Sequence, residues 1–154
     1  MKKSIFFIIL ISQISFSQTK EETLDWLNLK LKEHTELIAG QYKFEIEKAE
    51  DKEIIYVTKM TDVGFGPRPT YFYFLPKDIS SVNLTTAYRT DGKLAIQIVS
   101  KSKKILKGES LVEELPIYCK ASSDEAIKRI QKGIINLLNL MGNPIKEPKE
   151  LFVD

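Results

Sequence analysis

Cysteine and histidine are almost missing from this chain of 154 residues, which holds one of each, Cys119 and His34. One cysteine excludes an intrachain disulfide, so the fold has to rest on packing. A zinc centre wants three or four ligands, and no Cys/His set of that size exists here. Neither a phosphate loop with its Lys-Ser/Thr ending nor a nucleophile elbow occurs, so two common catalytic signatures are absent. No cofactor is implied. An excess of one charge is missing too: 23 Lys and Arg face 21 Asp and Glu, a formal net charge of +2. Nucleic-acid-binding domains carry a clear basic excess, and this balance argues against that class.

Long apolar runs are also scarce. The one strong run lies in Met1 to Ser17, where Lys2 and Lys3 precede the stretch Ile5 to Ile14, broken by Ser12 and Gln13. Ser15 and Ser17 then supply small residues three and one positions before Gln18, as a signal-peptidase site requires. A spanning helix needs about 20 apolar residues, and this run is shorter. Residues 1–17 therefore read as a cleavable signal peptide, and the chain is expected to be exported, periplasmic or secreted, with cleavage near Ser17/Gln18. No cysteine follows the run for lipoprotein processing. Without Lys2 and Lys3 the 23 basic residues become 21, equal to the 21 acidic ones. No transmembrane segment is expected in the mature chain.

Residues 18–145 are expected to form a single α+β domain, with a polar tail over 146–154. Thr19-Lys20-Glu21-Glu22 has the form of a capping box. Leu24, Leu27, Leu31 and Ile38 share one side of the helix that follows, with Trp26 and Leu37 on its shoulder. Gly40 fits the left-handed position just past its end. Period-two alternation then marks Tyr42 to Glu47, and β-branched residues mark Glu53 to Met60. Tyr71, Phe72, Tyr73 and Phe74 occupy both faces of a third strand. Val82 to Tyr88 and Leu94 to Ile98 flank the hairpin turn Thr90-Asp91-Gly92-Lys93. Leu111 to Tyr118 reads as the last strand, with Pro116 pointing to an edge. A final helix opens on a capping box, Ser122 with Glu125. Its apolar face runs through Ile127, Ile130, Ile134, Leu137 and Met141, and Gly133 sits at the stripe's edge, where it permits close approach to the sheet. Short connections point to an antiparallel sheet or a partly open barrel of about six strands, flanked by the N-terminal helix and the amphipathic C-terminal helix.

The segment Tyr73-Phe74-Leu75-Pro76-Lys77-Asp78-Ile79, with Ser80-Ser81-Val82 after it, resembles pleckstrin-homology-like domains. In those domains an apolar strand runs into a similar segment, followed by hairpins and a terminal helix. The resemblance covers Tyr42 to Met141 in the order of elements; the Leu24–Ile38 helix is an addition to it. It implies binding of lipids, peptides or partner proteins, and it transfers no ligand residue.

The most unusual stretch is Asp62-Val63-Gly64-Phe65-Gly66-Pro67-Arg68-Pro69. Two glycines and two prolines here stiffen an excursion that carries an aromatic ring and a guanidinium. Phe65 and Arg68 are the candidate binding residues, since loops on a rigid scaffold often present contacts; the plainer reading folds Phe65 back onto the core. His34 is placed at the edge of the first helix's buried stripe and Cys119 inside as a buried thiol. Lys101, Lys103, Lys104 and Lys107 read as a solvated edge, and Glu45 and Glu47 as the wet side of a strand. Three functions compete: an exported binding or structural module without catalysis that contacts an envelope or secreted protein or another ligand through the Phe65–Arg68 loop or a sheet surface, a hydrolase using converging carboxylates, and a periplasmic inhibitor or chaperone-like partner offering a loop or sheet edge.

Overall fold

The computed structural model describes residues 18–36, 39–86, 94–120 and 124–146. The expected signal peptide, Leu37 and Ile38, the Asp91-Gly92 turn, the Ser122 cap and tail residues 147–154 lie outside them. The chain is α+β. Helix α1 (Lys20–His34) precedes strands β1 (Gln41–Ala49), β2 (Lys52–Thr61) and β3 (Arg68–Phe74). A single turn of 3₁₀ helix, Pro76–Asp78, then leads to β4 (Ile79–Thr86) and β5 (Leu94–Ser100). Strands β6 (Ile105–Lys107), β7 (Ser110–Val112) and β8 (Glu114–Tyr118) follow, and α2 (Asp124–Leu140) ends the fold.

The strands form two antiparallel sheets. The larger has the order β1-β2-β3-β6-β7 and the smaller β4-β5-β8, so the open arrangement is realised and no barrel closes. Eight strands replace the expected six for two reasons. Ile105 and Leu106, two apolar residues inside the lysine-rich run, become a strand because β3 offers Phe72 and Tyr73 as partners. The expected strand Leu111 to Tyr118 divides at Glu113, whose carbonyl accepts both the Ser100 amide and the Ser100 hydroxyl, at 2.8 and 3.1 Å. One half pairs with β6 and the other with β5.

One core joins both sheets and both helices. Tyr42, Phe44, Ile55, Val57, Phe72 and Phe74 point inward from the large sheet, and Val82, Ile96, Ile98, Leu115 and Ile117 from the small one. Leu27 and Leu31 of α1, with Ile127, Ile130, Ile134, Leu137 and Leu138 of α2, fill the remainder. The Thr19 capping box forms as read: Glu22 N donates to Thr19 Oγ1 and Thr19 N donates to Glu22 Oε2.

Two local expectations are corrected. Helix α1 stops at His34 instead of running to Ile38, because the Thr35 hydroxyl and amide both return to the Leu31 carbonyl, at 2.6 and 2.9 Å. Gly40 keeps its positive φ but uses it in a tight turn onto Glu36 that opens β1. Gly133 accommodates the other helix, not the sheet: the indole of Trp26 on α1 lies where its side chain would be.

Candidate functional site

A β-protein can bind through a sheet edge or a sheet face. Here side chains cap three edge strands at single points. Asn28 on α1 lies against β1, its Nδ2 donating to the Phe44 carbonyl at 2.8 Å and its Oδ1 accepting from the Phe44 amide at 2.7 Å. On β4, the nearly buried Gln131 donates to the Val82 carbonyl at 2.8 Å, and Asn143 donates to the carbonyls of Pro76 and Ile79. On β8, the Tyr42 hydroxyl donates to the Pro116 carbonyl at 2.9 Å and accepts from the Tyr118 amide at 3.5 Å. Burial pushes that phenol far above its ordinary range. Strand β7 is three residues long, and shortness itself protects an edge. Pro69 removes a donor from the part of β3 that extends past β6.

The face is different. Register aligns Glu45, Tyr56, Tyr73, Leu106 and Leu111 in one row across all five strands of the large sheet, on the side away from the core. The next row toward the β2–β3 loop holds Lys43, Thr58 and Tyr71, and the one beyond it Met60 and Pro69. Tyr71 stacks on Tyr56 with ring centroids 5.5 Å apart, and Tyr73 meets Tyr56 edge-on at 4.7 Å. Next to this end of the strip the β2–β3 loop bends: Gly64 and Gly66 hold positive φ and the Asp62 carboxylate accepts the Gly64 amide. Val63 and Phe65 project from this bend with 67% and 82% of their surface exposed. Of six exposed large apolar side chains among the described residues, four (Val63, Phe65, Tyr71, Leu111) lie on this face or its tip; Leu29 and Leu140 lie on the helices. Such clustering distinguishes an interaction surface from scattered exposure.

The two residues chosen from sequence separate here. Phe65 does not fold back onto the core. Arg68 is exposed at the start of β3, but it pairs with Thr61 in the core-side register, on the opposite face from Pro69 and Tyr71. The tyrosines and Leu106 were missed. Their signal was present in the sequence: Ile54, Tyr56 and Met60 alternate out of phase with Ile55 and Val57, leaving apolar residues on both faces of a strand that two helices cannot both cover.

Other candidates stand apart from the face. Cys119 is buried, and burial pushes its thiol up to about 11. The native protein should therefore alkylate with iodoacetamide at pH 8 at least ~100-fold more slowly than the denatured chain; equal rates would contradict the buried placement. His34 lines a recess of about 210 Å³ with Trp26, Lys30, Glu125 and Arg129, and its carbonyl accepts the Lys120 amide. Beside it, the Lys30 ammonium at 2.6 Å holds the Glu33 carboxyl below its ordinary range. Lys101, Lys103, Lys104 and Lys107 are all exposed.

A shallow groove of about 570 Å³ runs between the β1–β2 turn and Leu75–Lys77. Lys48, Lys52 and Lys77 line it with Glu50, Asp51 and Glu53, the last paired to Lys20 at 2.6 Å. Among the described residues no Asp or Glu is buried, no group of three acidic, His or Cys residues forms a metal site, and no helix is long and apolar enough to cross a membrane. Comparison with protein-family models, with curated proteins and with solved structures finds no match to this chain.

Proposed function

We propose that the chain is an exported, non-catalytic binding module that docks an envelope or secreted protein on the outer face of its large sheet. The observation that carries this reading is the row of Tyr56, Tyr73, Leu106 and Leu111 across the outer face, with Tyr71 stacked on Tyr56 and Phe65 exposed in the adjoining loop. Burying one such large side chain contributes about 1.5–3 kcal/mol, so three or four of them on a complementary surface supply most of a useful affinity. Aromatic anchors within a fixed sheet lose little conformational freedom on contact, which favours them as hot spots. The likeness to pleckstrin-homology-like domains supports binding in the same sense.

A hydrolase needs two acidic groups converging in a cleft. The nearest approach to that is the shallow groove of Glu50, Asp51 and Glu53, where Lys48, Lys52 and Lys77 stand among the carboxylates and Glu53 is paired to Lys20. An inhibitor that offers an edge needs a run of unpaired strand groups, and side chains interrupt that run at Phe44 on β1, Val82 on β4 and Pro116 on β8.

Capture from an envelope extract tests the reading, with bait that begins at Gln18. The double variant Phe65→Ser/Tyr71→Ser is expected to lose its partner at least tenfold, about the effect of one or two hot-spot residues, with unchanged thermal unfolding. Arg68→Ala is expected to retain the partner. Equal capture by the double variant would overturn the face as the docking surface, and a mature terminus found far from Gln18 by mass spectrometry would overturn export.

A further inference from the structure

The charged flank of the strip narrows the chemistry of the partner, and the argument rests on the face reading above. Strand β1 sends Lys43, Glu45 and Glu47 to the outer side. Lys43 Nζ and Glu45 Oε1 lie 2.7 Å apart and neutralise each other. Glu47 is exposed and has no ion-pair partner among the described residues. Glu45 stands directly across from Tyr56, which makes Glu47 and Lys43 its two diagonal neighbours. Diagonal neighbours on an antiparallel pair are within reach of aromatic and long side chains. Desolvation first, then the Tyr73 hydroxyl and, last, the Glu47 carboxylate hold the Tyr56 phenol above its ordinary range, against a hydrogen bond with Thr58.

The surface thus combines a tyrosine cluster with one adjacent carboxylate outside any ion pair among the described residues; Lys52 stands on the same side, one row further from the tyrosines. Ring faces carry the negative side of the aromatic quadrupole and attract cations. Glu47 attracts the same sign. An anion over the rings would meet repulsion from both, since Lys43 is held by Glu45 and Lys52 lies a row beyond Glu47.

We infer that the partner presents an arginine or lysine side chain to this face, its cation lying over the tyrosine cluster against Glu47. Arginine suits it better. The planar guanidinium stacks on rings, reaches a carboxylate with its edge, and sheds water more readily than an ammonium.

An acetylated, amidated arginine tripeptide tests this against its citrulline counterpart, which keeps the shape and removes the charge. The chain from Gln18 is ¹⁵N-labelled and titrated with each by NMR. The arginine peptide is expected to shift Glu47, Tyr56 and Tyr73 and to bind about tenfold more tightly than the citrulline peptide, as a charge-assisted cation–π contact implies. Glu47→Gln, an exposed substitution, is expected to weaken it about fivefold with the same melting temperature; Tyr56→Leu, which keeps apolar bulk, is expected to act similarly. Equal affinity of the two peptides, or full affinity in Glu47→Gln, overturns the cationic partner while leaving the face as a docking surface. Shifts confined to other parts of the molecule, or none with either peptide, also overturn it, and the capture experiment then judges the face separately.

Discussion

Replacing Asn28 with alanine is expected to destabilise the fold by about 2–4 kcal/mol, a large loss for one half-buried polar side chain. Both ends of this amide bond the same residue: Nδ2 donates to the Phe44 carbonyl and Oδ1 accepts from the Phe44 amide. Asn28 therefore does for β1 what a neighbouring strand would do. Alanine orphans one donor and one acceptor at once, beneath a helix that limits access of water. Each orphaned group costs about 1–3 kcal/mol when buried, and partial hydration trims the sum. Asn28→Asp keeps an acceptor for the amide but sets a carboxylate oxygen against the Phe44 carbonyl, so at neutral pH its loss should equal or exceed that of alanine. Urea titration measures all three. A change below ~0.5 kcal/mol in Asn28→Ala, the level of an ordinary surface substitution, would show that the edge is held by something else.

Gly133→Ala is expected to cost about 2 kcal/mol net, against the helix-propensity gain of about 1 kcal/mol that alanine normally brings. A methyl at this position would overlap the six-membered ring of Trp26, whose indole is rigid. Relief requires either the ring to turn out of its rotamer or α1 to move away from α2. Neither is easy, since α1 is also fixed by Asn28. Trp26 is the only tryptophan in the chain, so its fluorescence reports the shift directly. The decisive comparison is made in a Trp26→Leu background. There the same alanine should be neutral or stabilising, because the crowded ring is gone and the propensity gain remains. Destabilisation of equal size in both backgrounds would place the strain elsewhere.

Much of this fold was legible in the sequence because one physical signal dominated each element. The Thr19–Glu22 box, the Tyr42/Phe44/Ile46 alternation and the apolar face of α2 each follow from local geometry, and each appears where it was read. The misses share a different cause. Thr35 ends α1 through a hydroxyl that competes for the Leu31 carbonyl, a contest that periodicity does not register. Strand β6 exists only because β3 lies beside it; Ile105 and Leu106 among lysines carry no strand signal of their own. The same holds for the candidate site. Phe65 was visible as an aromatic in a stiff bend, but the cross-strand register that groups Tyr56, Tyr71 and Tyr73 with Leu106 and Leu111 is a tertiary fact. That register also removes Arg68 to the other side, although the two lie three positions apart.

The side chains that cap the edge strands have a consequence for the order of assembly. Tyr42 reaches Pro116 across 74 positions, Asn143 reaches Pro76 across 67, and Gln131 reaches Val82 across 49. Non-local contacts of this kind form late, after the long intervening loops have been closed. As the chain emerges from its N-terminus, β4 therefore stays unguarded until the last helix has appeared and docked. Throughout that interval a second nascent copy is as good a partner for the open strand as Gln131 will later be. The cap on β4 thus comes from the last described helix, which leaves β4 the longest exposed of the capped edges during synthesis.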